Sequence, residues 1–162
     1  MDLTYLNEEM PKLHHSMPVQ LRFNDIDILG HLNNIVYFSL YDLAKARYLE
    51  YLYGGEIDFS KVETAIANVN CTYIKQIKFG EEIEVRTRVL SVGDRSFTLR
   101  QALVEKSSNE IRSVCDSVMV CFDPATGKSA PMSTRLRAAL DRATADDADA
   151  PKENDSRAAT NR

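Results

Sequence analysis

The fold is decided by residues 22–53, which read RFNDIDILGHLNNIVYFSLYDLAKARYLEYLY. A polar, turn-rich segment begins this stretch, and from about Leu32 to Tyr53 the chain contains no glycine or proline. Apolar side chains occur on nearly every side of the helix that this run predicts, which is typical of a helix buried within a domain. We expect Gly54-Gly55 to end it.

Five strands are expected around this helix. Alternating apolar and polar residues predict one half-buried strand before it, with Val19, Leu21 and Phe23 on the inner face. Four more strands are predicted after it, separated by turn-rich segments, at about residues 65–73, 83–89, 97–103 and 114–122. Strands that follow a helix without β-α-β alternation indicate an α+β domain, with a mainly antiparallel sheet wrapped around one long central helix.

The folded domain is predicted to span residues 17–142. Residues 1–16, whose adjacent histidines are not spaced as metal ligands, are expected to form a loosely attached N-terminal arm. After Leu140 the chain has no large apolar residue, so residues 143–162 cannot bury enough surface to offset their ordering entropy. We therefore expect a disordered tail over that range.

The composition argues against several functional classes. Twenty Lys and Arg against twenty-four Asp and Glu give a net charge of −4, whereas nucleic-acid binding rests on neutralising many phosphates. The cysteines Cys71, Cys115 and Cys121 fit no zinc-binding spacing and cannot all pair within one chain, so reduced thiols are expected. The sequence has no uncharged apolar run of about 18 residues to cross a membrane. These features predict a cytoplasmic protein that binds neither nucleic acid nor membrane and holds no metal.

The polar segment before the helix, residues 24–34, is the candidate for chemistry. It precedes backbone N–H groups that lack partners within the helix and carry the positive end of its dipole. A purely structural explanation is N-capping, in which Asp27, Asn33 or Asn34 satisfies those donors. One cap needs one residue, however, and this segment carries two Asp, one His and three Asn. Spacing alone leaves both interpretations open.

Residues 22–37, followed by Arg47, resemble the hotdog-fold acyl-CoA thioesterases of the 4-hydroxybenzoyl-CoA thioesterase type. A weaker likeness continues through later segments and extends over about residues 17–135. The resemblance implies a hotdog fold that assembles as a homodimer or homotetramer. It also implies hydrolysis of an acyl-CoA or acyl carrier protein thioester to a carboxylic acid and a thiol, with no cofactor. The implied fold agrees with the α+β architecture that the apolar pattern predicts.

The resemblance also implies roles for individual residues. Asp27 matches the catalytic carboxylate, as nucleophile or as general base, and the backbone N–H of Asn34 matches the donor that polarises the thioester carbonyl. Asp25 is expected to be structural. His31 is a secondary catalytic candidate, because plant acyl carrier protein thioesterases use this position together with an Asn where this chain has Leu29.

Further positions are predicted to bind the substrate. Gly30 allows a close backbone approach to the acyl group, and the remaining candidates are Asn33, Tyr37, Arg95 and Ser96. A local basic patch for the phosphates of coenzyme A is expected around Arg95, on this chain or on a partner, with help from Arg86, Arg88, Lys75 or Lys78. The alternative for Arg86 and Arg88 is that they are solvated strand residues.

Two other functions are open to a chain of this kind. An enoyl-CoA hydratase of the same fold needs an Asp and a His around a water, but its motif has Asn-Pro where this chain has residues 28–30, Ile-Leu-Gly. A non-catalytic acyl-CoA binding module is the third possibility. The sparse site suits hydrolysis best, because a thiol with a pKa near 8.5 leaves as thiolate without a strong general acid.

Overall fold

The computed structural model describes residues 4–149 of the chain as one sheet with helices on both faces. The strands are β1 (His15–Val19), β2 (Thr64–Tyr73), β3 (Ile83–Val92), β4 (Ser96–Glu105) and β5 (Glu110–Cys121). They form an antiparallel sheet in the order β1-β3-β4-β5-β2. The α-helices of the described residues are α1 (Tyr5–Glu9), α2 (Asn34–Tyr53) and α3 (Thr134–Asp149). The predicted α+β domain with about five antiparallel strands is confirmed.

Helix α2 begins where Asn33 caps it. The Asn33 side chain accepts a hydrogen bond from the backbone N–H of Ile35 at 3.0 Å. Leu32, where the sequence placed the start of the helix, instead forms an antiparallel bridge with Ile26. At the other end Gly54 adopts a left-handed conformation with φ of +69°, and it ends the helix as predicted.

One face of α2 packs on the sheet and the opposite face is exposed. The buried apolar face recurs every three or four residues, at Tyr37, Tyr41, Ala44, Tyr48 and Leu52. Large apolar side chains also occupy the outer side, at Ile35, Phe38, Leu43 and Tyr51. Ile35 is 70% exposed. The prediction that α2 is buried nearly all round is therefore wrong for a single chain, because the sheet covers only one side of it.

Helices α2 and α3 lie on the same face of the sheet. Leu136 and Leu140 of α3 pack in one apolar cluster with Tyr48 of α2. Ala143 belongs to the same cluster, so α3 continues into the range 143–162, for which a disordered tail is predicted. The structure describes α3 as far as Asp149, and residues 150–162 lie outside the described part of the chain. None of the helices in the described part of the chain is both long and apolar enough to cross a lipid bilayer.

The N-terminal segment covers the other face of the sheet. Leu6 and Leu13 are buried against Val104 and Val114. This packing differs from the loosely attached arm predicted for residues 1–16. Two isolated leucines in a polar segment give no periodic pattern, yet together they cover the apolar side chains on this face. The first three residues lie outside the described part of the chain.

The first strand ends earlier than predicted. β1 ends at Val19, and Phe23, expected on the inner face, is 78% exposed. Phe23 instead begins a 3-10 turn that ends at Asp25. The turn forms because the Arg22 backbone N–H and guanidinium both bind the Asp25 carboxylate, which bends the chain away from the sheet. The four later strands agree with the prediction to within a few residues.

Candidate active site

The loop between β1 and α2 closes on itself as a tight turn. The Asp27 backbone N–H donates a hydrogen bond to the His31 carbonyl at 2.9 Å, and the Gly30 N–H donates to the Asp27 carbonyl at 3.0 Å. Gly30 has φ of +80°, a left-handed conformation that a residue with a Cβ rarely adopts. The turn therefore holds the Asp27 and His31 backbones opposite one another at its base.

Two backbone hydrogen bonds fasten this turn to the rest of the fold. The Leu32 N–H donates to the Ile77 carbonyl at 2.8 Å, and the Asn33 N–H donates to the Asp25 carbonyl at 2.9 Å. Asp25 is buried, and its carboxylate accepts from the Arg22 backbone N–H and guanidinium, each at 2.8 Å. The guanidinium hydrogen bond holds the pKa of the Asp25 carboxyl below its ordinary value. Asp25 thus has the burial and the hydrogen bonds of a structural residue, as the sequence suggests.

A cavity of about 320 Å³ opens beside the turn, at the N-terminus of α2. Four of the predicted site residues lie on its wall: Asp27, His31, Asn34 and Tyr37. The facing wall comes from the end of β2 and the segment after it, residues 73–76. The fold thus gathers the three predicted catalytic residues and one predicted substrate contact around a single open space.

The Asp27 carboxylate is held on one side. Its Oδ1 atom accepts a hydrogen bond from the backbone N–H of Leu29 at 2.8 Å. Within residues 4–149 no further donor binds this carboxylate. Asp27 is not the N-cap of α2, because Asn33 has that role. The capping explanation therefore accounts for Asn33 and leaves the Asp27 carboxylate to face the cavity.

The first backbone N–H of α2 has no acceptor in the described part of the chain. The Asn33 side chain accepts from the N–H of Ile35, and the Asn33 carbonyl accepts from that of Val36 at 2.9 Å, which leaves the N–H of Asn34. Helix N-terminal N–H groups carry the positive end of the helix dipole and attract negative charge. The cavity therefore combines an ionisable carboxylate with a donor for a developing oxyanion.

Two tyrosine rings form the apolar side of this cavity. Tyr37 of α2 and Tyr73 of β2 meet edge to face, with ring centroids 5.0 Å apart. Burial raises the pKa of Tyr37 to about 12, against a hydrogen bond from the Ile77 backbone N–H to its phenol oxygen, which lowers it. Tyr37 is therefore a neutral, fixed wall rather than a proton donor at neutral pH. The sequence had suggested Tyr37 as a substrate contact but gave no sign of Tyr73 opposite it.

Arg95 and Ser96 lie away from this cavity within one chain. They sit at the turn between β3 and β4, where the Arg95 carbonyl accepts from the Cys121 N–H at 2.8 Å. Cys121 pairs with Thr64, at the opposite end of β2 from Tyr73. Since the ten residues of β2 span about 30 Å, these predicted substrate contacts do not reach Asp27 in the same protomer.

The expected basic patch is largely paired with acids. Arg86 donates to the Glu84 carboxylate at 2.6 Å and is largely buried, so it is neither a free phosphate contact nor the solvated strand residue of the alternative. Lys75 lies on the wall of the Asp27 cavity, and its ammonium contacts the Glu110 carboxylate at 2.8 Å. Within residues 4–149 no group of three or more His, Cys, Asp or Glu side chains is placed to hold a metal ion.

A larger cavity of about 540 Å³ lies between α2, α3 and the start of β2. Its wall is mainly apolar and includes Leu49, Ile66 and Met119. Lys45 also reaches this wall; its buried ammonium donates to the Ser117 hydroxyl at 3.1 Å and contacts the Asp42 carboxylate at the same distance. No local sequence pattern predicts this cavity, because its lining comes from three elements that are distant along the chain.

Known proteins are similar to this chain over about half of its length. The chain is 28% identical over 81 residues to the uncharacterized protein YsmA of Bacillus subtilis, covering 50% of this chain and 54% of that one. It is 29% identical over 104 residues to protein THEM6 of Danio rerio, covering 60% of this chain and 47% of that one. The chain thus spans about half the length of the curated relatives it matches.

A solved structure agrees over most of the fold. A thioesterase from Thermus thermophilus, in complex with coenzyme A and Zn, is 26% identical, with a TM-score of 0.68 over 77% of this chain and 95% of that one. Residues 21–140, which include the Asp27 turn and most of both cavity walls, match one protein family. By this match and by its fold, the chain belongs to the thioesterase-like superfamily and has the hotdog fold.

Proposed function

We propose that this protein hydrolyses an acyl-CoA thioester to a free carboxylic acid and coenzyme A, in the manner of the 4-hydroxybenzoyl-CoA thioesterase type. The observation that carries the proposal is that Asp27 and Asn34 line the same cavity, with no acceptor for the Asn34 N–H among residues 4–149. A similar thioesterase from Thermus thermophilus is in complex with coenzyme A, which supports coenzyme A as the thiol part of the substrate. An acyl carrier protein thioester presents the same reacting group and is the alternative substrate.

The proposed chemistry needs only these two groups. The thioester carbonyl oxygen accepts from the Asn34 N–H, where the helix dipole stabilises the charge that develops on it. Asp27 either attacks the carbonyl carbon, which gives a mixed anhydride that water then hydrolyses, or removes a proton from an attacking water. In both routes the carbon–sulfur bond breaks and the sulfur leaves as thiolate, which is stable enough to need no strong acid.

His31 has a subordinate place in this proposal. Its backbone carbonyl accepts from the Asp27 N–H and so fixes the turn, whatever the side chain does. Its imidazole lies on the cavity wall but has Leu29 where the plant carrier-protein enzymes have their Asn partner. We assign the imidazole to substrate contact rather than to proton transfer, and Gly30 to clearance for the acyl group.

The substrate site is proposed to be completed by a second copy of the chain. β2 is an edge strand of ten residues, and its exposed apolar side chains include Ile66 and Val69. Such an edge calls for a partner strand. Antiparallel pairing of two β2 strands would set the Tyr73 end of one beside the Thr64 end of the other. The exposed face of α2, which includes Ile35, would be covered in the same assembly, with the sheets wrapped around both central helices.

This pairing would also account for the distant substrate residues. The Asp27 cavity of one protomer would lie near the 540 Å³ apolar cavity of its partner, which would receive the acyl chain. The partner's Arg95 and Ser96 would approach the same end and contact coenzyme A. The homodimer is the smallest assembly that meets these requirements, and a homotetramer would be two such dimers.

The test is turnover of saturated against enoyl thioesters. Saturated acyl-CoA substrates from acetyl to palmitoyl should release free thiol, detected with a thiol reagent, at a rate that depends on acyl length. Matching enoyl-CoA substrates should release thiol without forming the 3-hydroxyacyl product. Hydration without thiol release would instead indicate a hydratase, and binding of acyl-CoA without turnover would indicate a binding module.

A further inference from the structure

We propose that Cys71 and Cys115 are a redox-sensitive modification site that closes to a cross-strand disulfide when a peroxide reaches it. Cys71 lies on β2 and Cys115 directly opposite it on β5, and both thiols are free in the structure. Both side chains belong to the apolar cluster beneath α2. Disulfide formation here does not depend on the proposed thioesterase activity.

The register of the two strands places this pair at a favourable spacing. The Ile74 N–H donates to the Arg112 carbonyl at 2.9 Å, and hydrogen-bonded pairs recur at every second residue of an antiparallel ladder. Cys71 and Cys115, three positions further on, therefore form a non-hydrogen-bonded pair. Such pairs bring Cα atoms to about 4.5 Å, within the range of about 4.4–6.8 Å that a disulfide bridges. The bond can form without a change of register.

The surroundings divide the two thiols into a nucleophile and its partner. The Cys115 thiol and the Tyr73 hydroxyl both donate hydrogen bonds to the Cys71 sulfur, and the bond from Cys115 lowers the pKa of Cys71. Donation to Cys71 and burial raise the pKa of Cys115. Cys71 is also half-buried, whereas Cys115 is fully buried. Cys71 is thus the thiol that a small oxidant meets first.

The oxidation balances with peroxide as the oxidant. The Cys71 thiolate attacks one oxygen of hydrogen peroxide, the O–O bond breaks, and sulfenic acid and hydroxide form. Cys115 sulfur then attacks the Cys71 sulfur, the S–O bond breaks, and the second oxygen leaves as water after taking the Cys115 proton. Each sulfur gives up one electron overall, and two thiols plus one peroxide become one disulfide plus two waters.

The Cys71–Cys115 disulfide would affect the Asp27 cavity through Tyr73, which lies on the cavity wall. The Tyr73 ring packs against Tyr37 on the cavity wall, and Tyr73 lies two residues from Cys71 on the same face of β2. A disulfide sulfur has no thiolate form and is a poorer hydrogen-bond acceptor than a cysteine thiol, so its interaction with the Tyr73 hydroxyl weakens. We expect oxidation to lower activity about fivefold, the size of one ordinary hydrogen bond.

The experiment is peroxide treatment of the reduced full chain, followed by alkylation and peptide mapping by mass spectrometry. We expect a Cys71–Cys115 cross-link that dithiothreitol reverses, with Cys121 still alkylated. Cys121 is the matched control, because it lies on the same strand but has Thr64 opposite. Cys115→Ser, checked for folding by circular dichroism, should give no cross-link within the chain.

The same samples separate this proposal from the proposed function. Recovery of both Cys71 and Cys115 as alkylated thiols, or cross-links that involve Cys121 or a second chain, would overturn the disulfide. A wild-type activity that is unchanged by a fully formed Cys71–Cys115 bond would overturn the coupling through Tyr73. Inactivity of the reduced protein on every thioester bears on the proposed function alone, because the mass-spectrometric readout does not use activity.

Discussion

The two ends of strand β2 carry different kinds of cavity. At the Tyr73 end the wall of a space of about 320 Å³ includes Asp27, His31 and Asn34, whose backbone N–H has no acceptor among residues 4–149. At the Thr64 end a larger space of about 540 Å³ is mainly apolar, and its buried ammonium is already bound to Ser117 and Asp42. One end offers a carboxylate, an imidazole and a helix N–H with little apolar surface, and the other offers a mainly apolar wall.

Under the proposed function, each end would supply half of a thioesterase site. A thioester joins a polar reacting carbon to an apolar chain, so its site needs both kinds of wall. Within one protomer they are separated by the length of β2, about 30 Å. Antiparallel pairing of two β2 strands would bring them together.

Apart from changes to Asp27, the largest effect is expected from Val69→Pro. Hydrogen bonds from β2 to β5 fall on Ile74 and every second residue before it, so the Val69 N–H faces the open edge. Proline removes that donor and blocks strand pairing while it spares the β5 ladder. We expect a monomer by light scattering and a fall in kcat/KM of more than about 100-fold, since effective assembly of reacting groups is worth at least that.

Val69→Ala is the control for this variant, because it keeps the N–H. It should remain dimeric and active. Melting temperatures must show that both variants are folded. A folded, monomeric Val69→Pro protein with wild-type turnover would show that one protomer contains the whole site.

A smaller loss is expected from His31→Ala. The turn is fixed by the His31 backbone carbonyl rather than by its side chain, so alanine leaves Asp27 in place. Loss of a general base costs about 10²–10⁴ in rate, whereas loss of a substrate contact should cost less than about tenfold in kcat. Steady-state kinetics decide between these values. A loss as large as that of an Asp27 variant would indicate that the imidazole transfers protons despite Leu29.

Arg95→Ala is expected to act on KM rather than on kcat. Its guanidinium is exposed, so its contact with a phosphate is worth about 1 kcal/mol, or about fivefold in KM. The effect should shrink as ionic strength rises, because salt screens exposed charges. Ser108, at the opposite β4–β5 turn, gives a control variant, Ser108→Ala. An unchanged KM for Arg95→Ala at low salt would remove Arg95 from the coenzyme A contact.

The smallest effect on rate is expected from Asp25→Asn, which should act on stability. Loss of the charged hydrogen bonds to Arg22 should lower the free energy of unfolding by about 1–2 kcal/mol at neutral pH. The pKa of Asp25 is lowered in the fold, so its contribution is complete above the ordinary Asp pKa and is lost as pH falls through the lowered value. Urea unfolding of both proteins should therefore converge in acid. A difference that is constant with pH would contradict this role.

The sequence predicted most of the Asp27 half of the site and little of the other half. Residues 24–34 are contiguous, so local turn and cap chemistry suffices to gather Asp27, His31 and Asn34. The larger cavity is lined by residues of α2, β2 and α3, and no local sequence pattern predicts how these three elements pack together. Its buried Lys45 reads in the sequence as an ordinary helix surface residue.

The errors in the fold have related causes. Leu6 and Leu13 are isolated apolar residues in a polar segment, yet they cover one face of the sheet. Phe23 continues an alternating pattern, but the Arg22–Asp25 contacts bend the chain and expose its ring. In both cases a few side-chain contacts outweigh the periodicity from which strands and tails are predicted.

The most direct test of the central claim is the single-turnover rate of Asp27→Asn with enzyme in excess over acyl-CoA. Asparagine keeps the shape and the acceptor for the Leu29 N–H but removes the charge, and Asp25→Asn is the matched control in the same loop. The account predicts that Asp27→Asn slows acid formation by about 10²–10⁴ with an unchanged melting temperature, whereas Asp25→Asn keeps near wild-type chemistry. Acid formation by Asp27→Asn at the wild-type rate would contradict it.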